Sequence, residues 1–276
     1  MDCLNKGVVI TGAASGIGLA TAIAFAERGA HVVLADIEEI ALARAASHVA
    51  QSARGMVRSF VCDVSQAVAF DSLAAFSFET IGDVHILFSN AGVGVSGPLT
   101  SMTREDWDWV LGVNLWGAVN GINAFIPHMI RHAAGGHVVI NSSFAGLVYD
   151  RGLGPYCVSK AAVIALAEVL RQEMRDMRIG VSVVCPMRVD TEIGSSHRNR
   201  STAQGRGSAA RDVTDPRDTA VPGKIISPSE VASRIIDAVD HNELYVMTHE
   251  DGRPFVAHRF ARIDKCFARQ HSSAGT

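Results

Sequence analysis

Closely spaced cysteines are missing from the sequence. It contains five cysteines, and none of them forms a Cys-x-x-Cys pair: Cys3, Cys62, Cys157, Cys185 and Cys266. An odd number of widely spaced cysteines argues against a disulfide framework and against a zinc site. We therefore expect free thiols, no bound metal and a reducing, cytoplasmic setting.

The sequence also lacks an excess of positive charge and a long apolar run. Its formal net charge is −3 at pH 7, which favours neither a nucleic acid nor an anionic membrane as a partner. The first apolar run, residues 7–10, is so short that we expect no signal peptide. The most apolar helical stretch, residues 161–170, contains Glu168 and is too short to span a bilayer.

What the sequence does contain is an alternation of β-branched runs with alanine-rich, helix-periodic stretches. The candidate strands are residues 8–10, 32–34, 57–61, 86–88, 138–140, 181–184 and 244–246. The candidate helices are residues 17–28, 40–51, 67–78, 107–130, 156–177 and 228–240. Continuous apolar runs are typical of strands buried on both faces of a parallel sheet. The pattern predicts an α/β fold: a Rossmann-like, doubly wound, mainly parallel seven-stranded sheet flanked by helices, in one domain over residues 1–276.

Two segments depart from this alternation. Residues 188–224 are polar and glycine-rich and show no convincing period. A long irregular insertion in a compact domain is usually functional or disordered, and we predict a mobile substrate lid there. The chain after residue 253 is compatible with a last helix, and we expect a flexible tail at about residues 271–276.

A glycine-rich loop follows the first candidate strand and leads into a helical pattern. It reads Thr11-Gly12-Ala13-Ala14-Ser15-Gly16-Ile17-Gly18. Glycines at such a turn let the backbone approach a pyrophosphate, which then lies at the helix N-terminus. An ordinary tight turn is the alternative, but a strand before the loop and a helix after it favour a dinucleotide site. The predicted cofactor contacts in this loop are Gly12, Ser15, Gly16, Ile17 and Gly18.

An acidic residue ends the second candidate strand. Asp36 lies 18 residues after Gly18, close to the offset of about 20 residues at which a carboxylate binds the ribose hydroxyls in dinucleotide folds. A carboxylate there accepts a hydrogen bond from the 2′-hydroxyl of NAD and repels the 2′-phosphate of NADP. Its neighbours, Ser15 in the loop and Ile37, supply no cation for a phosphate. We predict NAD as the cofactor; the alternative is that Asp36 only caps the next helix.

Further polar residues stand at the ends of the third and fourth candidate strands. Parallel α/β sheets bind ligands at the carboxyl ends of their strands, although turn chemistry alone could explain each motif. The cofactor contacts predicted here are Asp63, Val64, Asn90, Ala91 and Gly92.

The pattern of motifs from residue 6 to about residue 247 resembles the short-chain dehydrogenase/reductase family. The matching pieces are the glycine loop, Asp63-Val64, Asn90-Ala91-Gly92, Asn114, Ser142-Ser143 and Tyr156-x-x-x-Lys160. The resemblance implies an NAD-preferring oxidoreductase that forms a homodimer or homotetramer. It assigns a catalytic set: Asn114, Ser143, Tyr156 and Lys160. It also implies cofactor contacts at Tyr156, Lys160, Pro186, Val189 and Thr191.

The chemistry of the tyrosine and lysine can be stated without the family. A secondary alcohol gives up a hydride only if its hydroxyl proton leaves, and a tyrosine with a pKa of about 10 is a poor base near neutral pH. A nearby ammonium lowers that pKa. Lys160 lies four residues after Tyr156, so both side chains share one helix face. We expect Tyr156 to be the acid and base, although an ordinary aromatic residue and a solvated lysine would look the same if taken singly.

The resemblance assigns the substrate oxygen to Ser143, with Ser142 as the adjacent rival. It gives Asn114 the task of anchoring a water between the lysine and solvent. The alternative for Asn114 is an asparagine that bends a helix. Asparagine is a poor residue in a helix interior, which favours the functional role.

Two positions depart from the family pattern. Ser89 stands where an asparagine is common, which should change a local hydrogen bond, and Met187 stands where a glycine is common. Met187 adds a flexible apolar side chain beside the expected reaction site. The predicted substrate pocket is mainly apolar and comprises Val95, Phe144, Val148, Leu153 and Met187.

These observations predict an NAD-dependent alcohol dehydrogenase or ketone reductase. The expected substrate is a bulky hydrophobic secondary alcohol or ketone of the aryl, terpenoid or steroid type. The alternative is a protein that senses NAD(H) without turnover, although a sensor has no need of the complete catalytic set. A sugar-nucleotide epimerase is disfavoured by the glycine spacing and the short C-terminal region.

Overall fold

The structure, a computed structural model, describes residues 3–200 and 223–273. Its seven strands are β1 Gly7–Thr11, β2 His31–Asp36, β3 Val57–Val61, β4 Val84–Ser89, β5 Gly136–Asn141, β6 Ile179–Cys185 and β7 Tyr245–Met247. Its α-helices are α1 Gly16–Glu27, α2 Glu39–Ser52, α3 Ala67–Ile81, α4 Arg104–Leu111, α5 Gly117–His132, α6 Gly154–Glu173, α7 Pro228–His241 and α8 Arg253–Ser273.

The strands form one sheet in the order β3-β2-β1-β4-β5-β6-β7. All six neighbouring pairs are parallel, so the prediction of a mainly parallel doubly wound sheet is confirmed. The chain runs outwards from β1 through β2 to β3 and then returns to the other side of β1 with β4. This reversal opens a crevice beyond the carboxyl ends of β1 and β4, where such sheets bind ligands.

Helices cover both faces of the sheet, which explains the continuous apolar runs in the strands. Val8 and Ile10 of β1 pack under α1, α2 and α7, together with Phe25. Val9 between them packs on the opposite face under α3, α5 and α6, with Phe125. Successive side chains of a strand point to opposite faces, so a strand covered on both sides must be apolar at every position.

The single helix predicted over residues 107–130 is interrupted in the structure. It divides into α4 and α5, with a π-helical turn at Gly112–Trp116 between them. Two glycines and Asn114 weaken the α-helix there, and π turns often occur at functional sites. The combined run Arg104–His132 is long and apolar enough to cross a membrane by length and composition. Its apolar side chains Phe125 and Met129 are buried against the sheet.

The predicted lid begins with regular structure. Residues Glu192–Asn199 form 3-10 helix with a kink at Ser195. At the other end of the segment, Arg188 donates a hydrogen bond to the Gly223 carbonyl at 2.7 Å. Residues 201–222 lie outside the described residues, so the mobile lid stays a prediction. Helix α8 extends through Ser273, into the segment predicted as a tail.

Candidate active site

A cleft of about 380 Å³ opens at the carboxyl ends of the strands. It lies at the reversal of strand order between β1 and β4. Most of the predicted cofactor residues line it: Gly12, Ser15, Gly16, Ile17, Asp36, Asp63, Val64, Asn90, Ala91, Gly92, Tyr156, Lys160, Pro186, Val189 and Thr191. The fold thus gathers residues from positions 12 to 191 at one site.

The glycine loop joins β1 to α1 and cannot carry side chains at its key positions. Gly12 and Gly16 have φ angles of +62° and +54°, which disfavour any residue with a Cβ. Gly18, which is not among the residues that line the cleft, supports the loop from behind. A Cβ on Gly18 would lie 2.2 Å from the Gly12 carbonyl oxygen. The cap residue of α1, Ser15, makes no side-chain capping bond, so the amides of the first helical turn stay available to a ligand.

Asn90, at the end of β4, ties this strand to the glycine loop. Its Nδ2 donates to the carbonyl oxygens of Thr11 at 2.9 Å and Gly12 at 3.0 Å. Its Oδ1 accepts from Asn141 Nδ2 at 3.0 Å. Ser89, just before it, has a buried hydroxyl with no hydrogen-bond partner among the described residues. The Asn90 side chain therefore fixes the shape of the loop.

Asp36 stands on the wall of the cleft at the end of β2. Its Oδ2 accepts from the Ala14 amide at 3.0 Å, and its Oδ1 accepts from the Glu38 amide at 3.1 Å. Burial raises the pKa of this carboxyl from its ordinary value, and the two backbone hydrogen bonds oppose that rise. The N-cap residue of α2 is Glu38, so Asp36 is not the helix cap considered in the sequence analysis.

Asp63 and Val64 line the cleft after β3. The Asp63 carboxylate accepts hydrogen bonds from the Ser65 amide at 3.0 Å and the Ser65 hydroxyl at 2.7 Å. The Val64 carbonyl accepts from Asn120 Nδ2 at 3.0 Å. These bonds are turn chemistry, and they leave the Val64 side chain and the outer side of Asp63 on the cleft wall.

A tyrosine and a lysine lie at the floor of the cleft, one turn apart on α6. The Lys160 Nζ is 5.7 Å from the centre of the Tyr156 ring and donates to the Asn141 carbonyl at 2.8 Å. Burial lowers the pKa of Lys160 to about 8. Burial raises the pKa of Tyr156, and a hydrogen bond with the Ser143 hydroxyl opposes the rise. The cleft thus brings together two titratable groups, a buried lysine and a half-buried tyrosine, which is typical of catalytic sites.

The structure separates the roles of the two adjacent serines after β5. The Ser142 hydroxyl is buried and donates to the Lys160 carbonyl at 2.7 Å, so it holds the backbone of α6. The Ser143 hydroxyl faces Tyr156. It also accepts from the Ala145 amide at 3.1 Å. Of the two, Ser143 is the serine placed to contact a ligand beside the tyrosine.

Asn114 lies behind the cleft wall in the π-helical turn. Its Oδ1 accepts from the Val93 amide at 2.8 Å, and its Nδ2 donates to the Val93 carbonyl at 2.9 Å and to the Ser159 hydroxyl at 2.9 Å. Both Asn114 Oδ1 and Lys160 Nζ are close to Gly92, within 3.5 Å of where a Cβ would stand on it. Asn114 thus holds the wall beside Lys160, and its water-anchoring role stays a prediction.

The predicted substrate residues divide between the cleft and the surrounding core. Met187 lines the cleft, and its amide donates to the Thr248 hydroxyl at 3.1 Å. The other four are not among the residues that line it: Val95, Phe144, Val148 and Leu153. The assignment of these four to a substrate pocket stays a prediction.

Several residues that line the cleft were not predicted from the sequence. Trp109 and Val113 supply apolar wall, and Glu38, Arg198 and Asn199 supply charge and amide groups. Trp109 and Val113 fall in the helix predicted over residues 107–130, but the sequence did not show which side of that helix faces the cleft. Arg198 and Asn199 lie in the segment predicted as lid, and they meet Glu38 from about 160 positions away. No local pattern predicts a contact over that separation.

A family model described as short chain dehydrogenase matches residues 6–202. The chain belongs to this family. Its relatives include the C alpha-dehydrogenase of Sphingobium sp. strain SYK-6, which is 33% identical over 267 residues, or 95% of this chain and 86% of that protein. The 1-deoxy-11-beta-hydroxypentalenate dehydrogenase of Streptomyces exfoliatus is 34% identical over 260 residues, or 92% and 86%. The prediction of a short-chain dehydrogenase/reductase is confirmed.

A third relative is much longer than this chain. The probable oxidoreductase EphD of Mycobacterium tuberculosis is 39% identical over 186 residues, which are 67% of this chain and 31% of that protein. The matched region is thus about a third of the length of this relative.

Solved structures of the family share the fold. A short chain dehydrogenase/reductase from Burkholderia phymatum, in complex with NAD, has a TM-score of 0.89 and 35% identity, and the match covers 96% of each chain. LigD in its apo form, from Sphingobium sp. strain SYK-6, has a TM-score of 0.80 and 28% identity, with 96% of this chain and 98% of that chain covered. The Rossmann-like fold is therefore established for this chain.

Proposed function

We propose that this protein is an NAD(H)-dependent oxidoreductase that interconverts a bulky hydrophobic secondary alcohol and its ketone. The observation that carries the proposal is the arrangement at the floor of the cleft. The Tyr156 phenol forms a hydrogen bond with the Ser143 hydroxyl, and the buried Lys160 ammonium lies 5.7 Å from the centre of the tyrosine ring. A substrate oxygen beside both hydroxyl groups would have a donor to orient it and an acid or base to exchange its proton.

The cleft suits a dinucleotide in shape and in charge. The amides at the start of α1 are available for a pyrophosphate, and Thr191 lies so close to Gly16 that a Cβ on this glycine would be 3.3 Å from the threonine methyl. The Asp36 carboxylate lines the same cleft, which supports a contact with a ribose, and a structural relative was solved with NAD. When bound, NAD supplies or accepts the hydride.

The residues of the chain would then handle the proton. Lys160 carries a positive charge below a pH of about 8, and this charge favours the phenolate form of Tyr156 over the phenol. The hydrogen bond with Ser143 opposes the burial that raises the pKa of Tyr156. Asn141 orients the Lys160 ammonium through its carbonyl, and Ser143 would hold the substrate oxygen.

Apolar residues support a hydrophobic substrate. Trp109, Val113, Val93 and Met187 line the cleft near the proposed reaction site. One relative is named for a hydroxylated substrate, 1-deoxy-11-beta-hydroxypentalenate, and another is named a C alpha-dehydrogenase. These names support a hydroxyl group as the reacting function, and the apolar wall supports a bulky hydrophobic skeleton around it.

Replacement of Tyr156 by phenylalanine tests the proposal. Tyr156→Phe removes only the hydroxyl, so kcat with a panel of aryl and cyclic secondary alcohols should fall by at least about 100-fold, the usual contribution of an acid or base. The dissociation constant of NADH should change less than about threefold, because the ring and the glycine loop remain. An unchanged kcat would refute the role of Tyr156. If the parent protein binds NADH but turns over no alcohol or ketone, the alternative of an NAD(H) sensor without turnover is supported.

A further inference from the structure

The helical segment Glu192–Asn199 crosses from the end of β6 to the opposite wall of the cleft, beside Asp36. It is held near the middle of the cleft by Ser196, whose buried hydroxyl accepts from the Gly94 amide at 3.1 Å. It is held at its far end by Arg200, which forms a buried ion pair with Asp106 at 2.6 Å. Arg198 therefore lies between two anchored residues, Ser196 and Arg200.

At that wall the Arg198 guanidinium forms an ion pair with the Glu38 carboxylate. Arg198 Nη2 donates to Glu38 Oε1 at 2.8 Å, and Nε lies 3.2 Å from both carboxylate oxygens. Asn199 Nδ2 adds a hydrogen bond to Glu38 Oε1 at 3.0 Å. The Glu192 carboxylate binds the same guanidinium at 2.9 Å. Two carboxylates thus surround one arginine.

Arg198 is also within electrostatic reach of Asp36, the residue expected to bind the ribose hydroxyls of a dinucleotide. Among the described residues that line the cleft, the lysines and arginines are Lys160, at the catalytic end, and Arg198. Arg198 is therefore the cation nearest to the position that a 2′-phosphate of NADP would take.

We infer that Glu38 is a second determinant of cofactor choice: by pairing with Arg198, it withholds from a 2′-phosphate the cation that stands beside Asp36. The inference rests on the proposed use of NAD(H) and deepens it. Asp36 repels the phosphate directly, whereas Glu38 acts by occupying the guanidinium and adds its own negative charge. Without the Glu38 carboxylate, Nε and Nη2 of Arg198 would offer a phosphate two parallel N–H donors. Glu192 and Ser195 would still bind the other N–H groups.

The Glu38–Arg198 pair should affect whether Arg198 can bind a 2′-phosphate, and it should have little effect on folding stability. Both side chains of the pair are about a third exposed, Arg198 by 32% and Glu38 by 29%. A pair this exposed contributes about 1 kcal/mol or less to folding. Its removal should therefore leave the protein folded while it changes the charge that meets a ligand.

Equilibrium binding of the two reduced cofactors tests this inference. Dissociation constants of NADH and NADPH are measured by nicotinamide fluorescence, with competition against NADH where NADPH binds weakly. Glu38→Gln keeps the size of the side chain and removes its charge. It should tighten NADPH binding by about fivefold, the ratio that corresponds to about 1 kcal/mol for an exposed pair, and change NADH binding less than about twofold.

Two further variants separate the role of Arg198 from a general effect of charge. In Glu38→Gln/Arg198→Met the gain in NADPH binding should disappear, because the cation is gone. Glu39→Gln removes an equal charge from the next residue, which is exposed in the first turn of α2, and should leave the NADPH-to-NADH ratio unchanged. Thermal unfolding of each variant checks that it is folded.

The outcomes are distinct. An unchanged ratio in Glu38→Gln, an equal change for both cofactors, or a gain that persists without Arg198 would overturn the inference while NADH binding by the parent protein stands. A parent protein that binds no NADH would overturn the proposed function and this inference with it. A selective, Arg198-dependent gain for NADPH would establish Glu38 as the determinant.

Discussion

Lys160 is a buried cation held by a single carbonyl. It is 2% exposed, its Nζ bonds to the Asn141 oxygen, and within residues 3–200 and 223–273 no carboxylate forms an ion pair with it. A charge in such surroundings is unfavourable, which is why burial lowers its pKa to about 8. The proposed chemistry would thus be obtained at the expense of folding stability.

This conflict predicts a pH dependence of stability. Between pH 8 and the ordinary lysine value of about 10.4, the unfolded chain holds a proton that the folded protein has lost. Rising pH should therefore stabilise the parent protein relative to Lys160→Met, by at most about 1.4 kcal/mol per pH unit in that window. Urea unfolding at pH 7, 8.5 and 10 measures the difference. A difference that does not change with pH would contradict the assigned pKa.

At the residue scale, the sequence predicted those site residues that are identified by their spacing from a nearby motif along the chain. Tyr156 and Lys160 follow from helical spacing, and Asp36 follows from its offset to the glycine loop. The pairing of Glu38 with Arg198 was not predictable, because it joins a helix start to a polar segment 160 positions later. Such contacts are set by the path of the chain, which a local pattern does not contain.

At the scale of elements, the fit of α1 against the strand ends shapes the cofactor loop. Gly18 is the closest contact: a Cβ there would also lie 2.6 Å from Asn90 Nδ2, the group that ties β4 to the loop. The sequence predicted Gly18 as a cofactor contact. In the structure it lets the helix approach the strands, as the third glycine of a dinucleotide loop does.

A substitution at Gly18 should therefore be destabilising although alanine favours helices. We expect Gly18→Ala to lower the free energy of unfolding by about 1–3 kcal/mol, the usual cost of overpacking. Gly112→Ala is the matched control. Gly112 has helical φ and ψ angles of −56° and −48°, and a Cβ there would meet only Ser65, at 3.6 Å. Chemical unfolding of both variants measures the effect, and equal stabilities would refute the packing role.

Most helices and strands were predictable from the sequence. Helices cover both faces of the sheet, so the strands are continuous apolar runs, and these runs alternate with helix-periodic stretches. The exception was the stretch with α4 and α5, where one helix was expected and a π turn was found. Hydrophobic periodicity shows which side of a helix is buried. It does not show that the Asn114 side chain bonds to Val93 and thereby fixes an irregular turn.

At the scale of the whole molecule, apolar residues remain exposed on α6 and on the π-helical turn before α5. Val158 and Val169 lie on one side of α6 and are 48% and 52% exposed, and Trp116 of the π turn is 56% exposed. Exposed apolar surface of this kind marks protein interfaces. It supports the expectation of a homodimer or homotetramer, which stays a prediction, as does the cytoplasmic location.

Light scattering with size-exclusion chromatography tests the assembly. The parent protein should elute as a dimer or tetramer, and Val169→Glu should shift it to a smaller species because the carboxylate would be buried without a partner. Val68→Glu is the control, since Val68 is the same residue type and is more exposed, at 76%, but lies on α3. A monomeric parent protein, or an equal response to both variants, would exclude α6 as the interface.

The central place of the first strand has a consequence for how the protein is made. β1 pairs with β2 in the register Val8↔Val32, but its other neighbour is β4, in the register Val8↔Ile86. A ribosome adding 5–20 residues per second synthesises these 78 positions in about 4–16 s. During that interval one edge of β1 has no strand paired with it. Asn90, whose side chain donates a hydrogen bond to the Thr11 carbonyl, has not yet been synthesised. The cofactor cleft is therefore completed only after the nascent chain has made its fourth strand.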